Sequence, residues 1–230
     1  MYAIVVLTKK LMKLKISIDL KVSKFIKRFI IADVMLFSGW GLVDPIFSVI
    51  LIREIVGASL VTVGIAAAIY WILKSAIQVP IALFLDKTEG ERDDFYTLIG
   101  ALVIIGVSAI SFSFATSVWH IYLIQILKAI GFGMYVPSWS ALFSRHLDKN
   151  HYSLDWSLDS TSVGFAIGIT SFIGGIIATW FGYNVVFISA GVVAFLSAAV
   201  LFVAPSLVFP PRTDAGEVLI KDHTPVNINQ

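Results

Sequence analysis

Six long apolar stretches joined by short connections dictate what this chain can become. They cover residues 29–52, 60–85, 95–115, 119–143, 160–181 and 183–203. Each has about 20 residues or more, the length a helix needs to cross the hydrocarbon of a bilayer. None alternates as a barrel strand does, and lipid offers no partner to a free backbone N–H or C=O, so helices are the only spanning option. The expected fold class is an all-α membrane protein with six transmembrane helices. Composition agrees: 58% of residues are hydrophobic, against about 45–50% in soluble domains. Charged residues, 14% of the chain, gather between the apolar runs. There are no cysteines, which excludes disulfides, thiolate metal ligands and cysteine nucleophiles.

Two of the runs carry one pattern. Gly39-Trp40-Gly41-Leu42-Val43-Asp44-Pro45 and Gly131-Phe132-Gly133-Met134-Tyr135-Val136-Pro137 lie 92 positions apart and share glycine, aromatic, glycine and proline in register. A second echo follows each: Thr62-Val63-Gly64-Ile65-Ala66 resembles Ser162-Val163-Gly164-Phe165-Ala166. Two matched helices in the same order point to a duplicated unit.

Placement of lysine and arginine sets the orientation. Lys9, Lys10, Lys13, Lys15, Lys21, Lys24, Lys27 and Arg28, then Lys87 and Arg92, Arg145 and Lys149, and Arg212 and Lys221 all fall on one side, and Arg53 alone on the other. Both termini are therefore expected in the cytoplasm. The chain divides into a basic cytoplasmic segment, 1–28, the six-helix unit, 29–203, and a polar tail, 204–230, with too little apolar content to fold alone. Within the basic segment, residues 13–23 alternate polar and apolar, a strand period. That segment suits anionic lipid better than nucleic acid, and it lacks the h-region and cleavage site of a signal peptide.

Four ionisable residues fall within the spans: Asp33, Asp44, Lys74 and Lys128. Each costs about 2.5–3.5 kcal/mol at the bilayer centre, so a functional reason to keep it is the default hypothesis. Asp33 lies near the cytoplasmic end of its helix, where it either reaches the interface or joins the proton-coupling and cavity residues. Asp44 and Lys128 both fall roughly 4–5 Å to the outer side of their helix midpoints, which lets them meet, and Lys74 sits roughly 3 Å to the inner side. Asp44 is expected to be a protonatable carboxylate held ionised by Lys128, with Pro45 opening the backbone beside it. Trp40, Tyr70, Trp71, Gln78, Tyr135 and Trp139 lie at related depths as candidate cavity residues. Trp119, His120 and Tyr122 read as an interfacial belt. Gly164 and Gly168 are spaced for close helix approach, as are Gly174 and Gly175.

These features resemble the major facilitator superfamily of secondary transporters, whose six-helix halves each consist of two inverted three-helix repeats. The resemblance covers roughly residues 29–203, one half. The family's loop motif Gly-x-x-x-Asp-Arg/Lys-x-Gly-Arg/Lys-Arg/Lys is matched at Asp86 and Lys87, with Ala82 for the first glycine and Gly90 one place late. The resemblance implies a cytoplasmic latch involving Asp86, Lys87 and Arg92. The family's fourth-helix motif Arg-x-x-Gln-Gly-x-Gly is matched by Lys128-Ala129-Ile130-Gly131-Phe132-Gly133, one residue shorter, which turns the cation about 100° round the helix. Its antiporter motif lacks the proline at Ile169, and antiport is not inferred. The run Gly174 to Phe187 is similar to the turn into helix six.

The resemblance implies a transporter of a small solute in the cell membrane, with Asp44 and Lys128 coupling proton movement to binding. One half does not close a pathway, so pairing with a second copy or a separate second half is expected, the homodimer being preferred because no seventh span precedes Gln230. The alternatives are a fragment of a longer transporter and a scaffold that kept the fold without transport. Enzyme signatures such as His-Glu-x-x-His, Gly-x-Ser-x-Gly and Gly-x-x-x-x-Gly-Lys are absent, no cofactor is implied, and His146, Asp148 and His151 read as a solvated loop, not a metal site.

Overall fold

The computed structural model describes residues 22–87, 90–149 and 151–203. Most of the basic segment, with nearly all of the alternating stretch, and the tail from residue 204 lie outside the described residues. The first helix is fixed by a side-chain cap: Ser23 Oγ accepts the N–H of Ile26, and α1 (Lys24–Glu54) follows. Ser59 and Thr62 form a reciprocal capping box at the start of α2 (Leu60–Leu85). Next come α3 (Arg92–Ser111), closed by a 3₁₀ turn (Phe112–Phe114), then α4 (Val118–Arg145), α5 (Tyr152–Phe181) and α6 (Tyr183–Phe202). Gly182, at φ +82°, makes the one-residue link between α5 and α6 in a conformation that suits glycine. All six helices are long and apolar enough to span a membrane, and no strand occurs among the described residues.

The largest boundary difference is at α5, which starts eight residues before position 160. Its first two turns are polar by composition, yet they hold Asp155 and Asp159 buried, and Asp155 accepts the N–H of Asp148 at 2.8 Å. Those carboxylates face protein, so polarity there does not signal a loop.

The bundle alternates in direction. Ser23 N–H donates to Asp148 at 2.8 Å and Arg145 pairs with Asp94, which gathers the starts of α1, α3 and α5 and the end of α4 at one pole. At the other pole Ser113 donates to the carbonyl of Asn184. Within the bundle α1 packs on α5 and α6, α4 packs on α2 and α3, and α3 on α6 joins the two groups.

Glycines permit these approaches. A Cβ on Gly39 would lie 2.9 Å from the Ala190 carbonyl of α6, and one on Gly41 would strike Thr170 and Ile167 of α5. In the second copy of the pattern, Gly131 abuts Ile105 of α3 and Gly133 abuts Ile77 of α2. Gly174 sits against the backbone of Leu42, whereas Gly164, Gly168 and Gly175 face open space in this chain. We expect Gly174→Val to cost about 1–3 kcal/mol, since a rigid backbone cannot yield as a side-chain tip does. Gly175→Val, one residue on, should cost under about 1 kcal/mol because nothing stands in its way. Thermal unfolding of the two variants in one detergent checks the contrast.

Burial is uneven. In the apolar windows of α1, α3, α4 and α6, 44% of residues are buried, but only 11% in α2 and 6% in α5. Each of those two helices is covered along essentially one neighbour. Trp71, Ile72 and Val79 on α2, and Phe165, Ile169 and Phe172 on α5, are left exposed.

Candidate functional site

The duplicated pattern ends beside the membrane-embedded charges. On α1 the pattern supplies Trp40 and, one turn later, Asp44. Pro45 has no N–H to give, which leaves the Gly41 carbonyl without its helical donor. On α4, Lys128 stands one turn before Phe132. Its ammonium lies 3.7 Å from Asp44 Oδ1 and 3.4 Å above the Trp40 ring, with the Tyr70 ring at 4.8 Å and the Phe132 ring at 5.9 Å. The cation is the buried partner: its side chain is 12% exposed, against 65% for Asp44. An ammonium out of water needs compensation, and here a carboxylate and aromatic faces supply it.

Lys74 of α2 extends the cluster. Its ammonium lies 4.6 Å from the Trp71 ring and 5.8 Å from that of Tyr70. Trp40 and Tyr70 thus belong to this site, and Gln78 is half-buried one turn beyond Lys74. The outcome is an amphipathic cluster, with two cations, one accessible anion and aromatic walls on α1, α2 and α4.

Asp33 and Tyr135 are elsewhere. Asp33 does not reach the interface; it is buried, accepting a hydrogen bond from the Tyr135 hydroxyl, because its helix face is turned towards α4 and α5 and away from lipid. Asp159 of α5 lies beside it. Trp139 packs with Phe143 and Trp156 and does not join Lys128.

At the charged pole, Asp86 and Lys87 stand exposed just past α2, and Arg92 opens α3. Other residues form ion pairs at this pole. Arg145 pairs with Asp94, which is fully buried, and His146 Nε2 lies 3.4 Å from Glu91 while its ring stacks 3.6 Å from Phe25. Asp148 is used by the Ser23 N–H. Asp94 and Asp159 were not singled out in the sequence, and Arg145 was read for orientation alone, because Asp94 and Arg145 sit just outside the apolar runs, 51 positions apart. The one available signal was the four-residue spacing of Asp155 and Asp159, which puts both on one helix face.

A bundle of six alternating spans, with an ion pair between two of them, defines a multi-pass helical membrane protein. Residues 29–226 match the Major Facilitator Superfamily, and the chain belongs to that family. It is similar to an uncharacterized MFS-type transporter of Methanocaldococcus jannaschii, 21% identical over 164 residues that cover 71% of this chain and 41% of that protein. Among solved structures, the POT family transporter PepTSo superposes with a TM-score of 0.61 at 20% identity, over 84% of this chain and 40% of that one. The likeness to PepTSo shows the fold. The chain spans about two fifths of the length of each.

Proposed function

We propose that this chain is one half of a secondary transporter for a small solute, coupled to protons through Asp44 and completed by a second half. The observation that carries the reading is the Lys128 ammonium, held 3.7 Å from an accessible carboxylate and over the Trp40 face. In this mechanism Asp44 takes up or releases the proton. Lys128 keeps Asp44 ionised until solute binding or a change of conformation weakens the pair. Lys74, Trp40, Tyr70 and Gln78 line the solute path, with Asp33 and Tyr135 deeper in the same half. Asp86, Lys87 and Arg92 serve the cytoplasmic latch, in a cell membrane with both termini inside.

Two observations support the need for a partner. The apolar faces of α2 and α5 are left uncovered, and the matched region spans only about two fifths of each relative. A second copy fits through two-fold symmetry, because the cluster offers both an anion and cations to its mate. The paired glycine contacts support the inverted repeat: Gly39 and Gly41 meet α6 and α5, as Gly131 and Gly133 meet α3 and α2.

The test is uptake by vesicles reconstituted with the purified chain, under an imposed pH gradient, across a panel of small organic solutes. Gradient-driven accumulation that collapses with a protonophore is the expected result. Equal uptake with and without the gradient across the panel would count against coupling.

A further inference from the structure

Asp33 lies eleven residues before Asp44 on α1, about 16 Å towards the charged pole. Its partner Asp159 comes from α5, and the two carboxyls are close enough to influence one another electrostatically. Asp33 is 5% exposed and Asp159 6%. The Tyr135 hydroxyl of α4 donates to Asp33 Oδ1. One Asp159 oxygen is sealed from solvent with no donor at all. On α5, Asp155 one turn earlier is engaged with the Asp148 N–H. On α6 the nearest polar group is Ser197, whose hydroxyl is committed to the Ala32 carbonyl, and Tyr183 at the far end is that helix's one titratable residue. Among the described residues, no Lys, Arg or His forms an ion pair with either carboxyl.

Two ionised carboxylates side by side, out of water and without a cation, repel strongly, and sharing a proton removes the conflict. A shared proton also supplies the donor that the sealed Asp159 side chain lacks. A metal cation in the same place would want lone pairs from every neighbour, whereas Tyr135 points its hydrogen into the site. We propose that Asp33 and Asp159 form a proton-binding site, separate from Asp44 and Lys128, that holds one proton between α1 and α5 with Tyr135 as its fixed donor. The site is a property of this chain alone and does not rest on transport.

Infrared spectroscopy of the full chain in nanodiscs, titrated with pH and with no solute present, tests the proposal. A protonated-carboxyl band is expected at neutral pH and should vanish as pH rises. In Asp159→Asn the remaining Asp33, freed of its like-charged neighbour, should lose the band at lower pH than the parent does. In Tyr135→Phe, which removes a donor to the ionised form, the band should persist to higher pH. The double variant Asp33→Asn/Asp159→Asn should lack the band. Opposite shifts from two variants cannot come from misfolding. Asp44→Asn should leave the band unchanged, so failure of the coupling role of Asp44 and failure of this site give different results. Absence of the neutral-pH band in the parent, its displacement by added sodium ion, or an unmoved titration in both single variants would overturn the proposal.

Discussion

Asn in place of Asp44 is expected to reduce proton-driven solute uptake about tenfold or more, equivalent to at least about 1.4 kcal/mol at the coupling step. The substitution keeps shape and hydrogen-bonding capacity but removes the group that exchanges the proton. Asp44 is 65% exposed, so its loss leaves the packing of α1 against α5 and α6 untouched. Lys128→Met should impair uptake in the same direction for a different reason, because Asp44 then lacks the cation that holds it ionised. It also takes the ammonium off the Trp40 ring, which sits only 3.4 Å away, and replaces it with a side chain content in apolar surroundings. Counterflow exchange of solute, which needs no net proton movement, separates the two ideas. A coupling role predicts that Asp44→Asn retains exchange while losing accumulation. A purely structural pair predicts that both fall together with the amount of folded protein.

The largest expected stability effect lies at the charged pole. Arg145→Met should destabilise the fold by about 3 kcal/mol, at the lower end of the range for breaking a buried ion pair, since the Arg145 side chain is 27% exposed. The damage comes from what remains. Asp94 is fully buried, one of its oxygens already has no partner, and Asp93 and Asp86 add like charge nearby. Adding Asp94→Asn to Arg145→Met should therefore restore a large part of the loss, a non-additivity expected of groups in contact. Lys87→Met, an exposed change at the same pole, should stay within about 0.5 kcal/mol. Chemical denaturation of the four proteins in one detergent reads these differences directly.

How much of this was legible in the sequence follows from the solvent. A bilayer demands long apolar runs and satisfied backbones, so the six spans and their class could be read from residues 29–203 without any contact information. The meeting of Asp44 and Lys128 was legible because depth along a straight helix is simple arithmetic, 1.5 Å per residue. Rotation about the axis is harder, because two residues at one depth can face opposite ways. That is why Tyr135 was grouped with the Lys128 cavity although it turns to Asp33. For Asp33 the sequence left two readings open, the interface or a buried site, because only packing against α4 and α5 reveals which side of α1 is protein. Asp159 was hidden by its own polarity: in the run Tyr152 to Ser160 charged and hydroxyl residues suggest a loop, and only a carboxyl partner from another helix makes a buried turn of them. The glycines divide similarly. The small-residue spacing of Gly164 and Gly168 announces a possible close approach, but the neighbour that a glycine meets depends on the assembled bundle, which supplies one at Gly174 and none at Gly164 or Gly168.

That emptiness bears on the central claim, that the uncovered faces of α2 and α5 are where a second half docks. Thr161, Gly164, Phe165, Gly168 and Ile169 line a shallow apolar groove along α5. Native mass spectrometry of the chain, released from nanodiscs and stripped of lipid, measures the assembly directly. The account predicts the mass of two 25.2 kDa chains, and the mass of one for Gly168→Trp, whose indole fills the groove without disturbing the bundle. A parent protein with the mass of a single chain, or a dimer indifferent to Gly168→Trp, would contradict it.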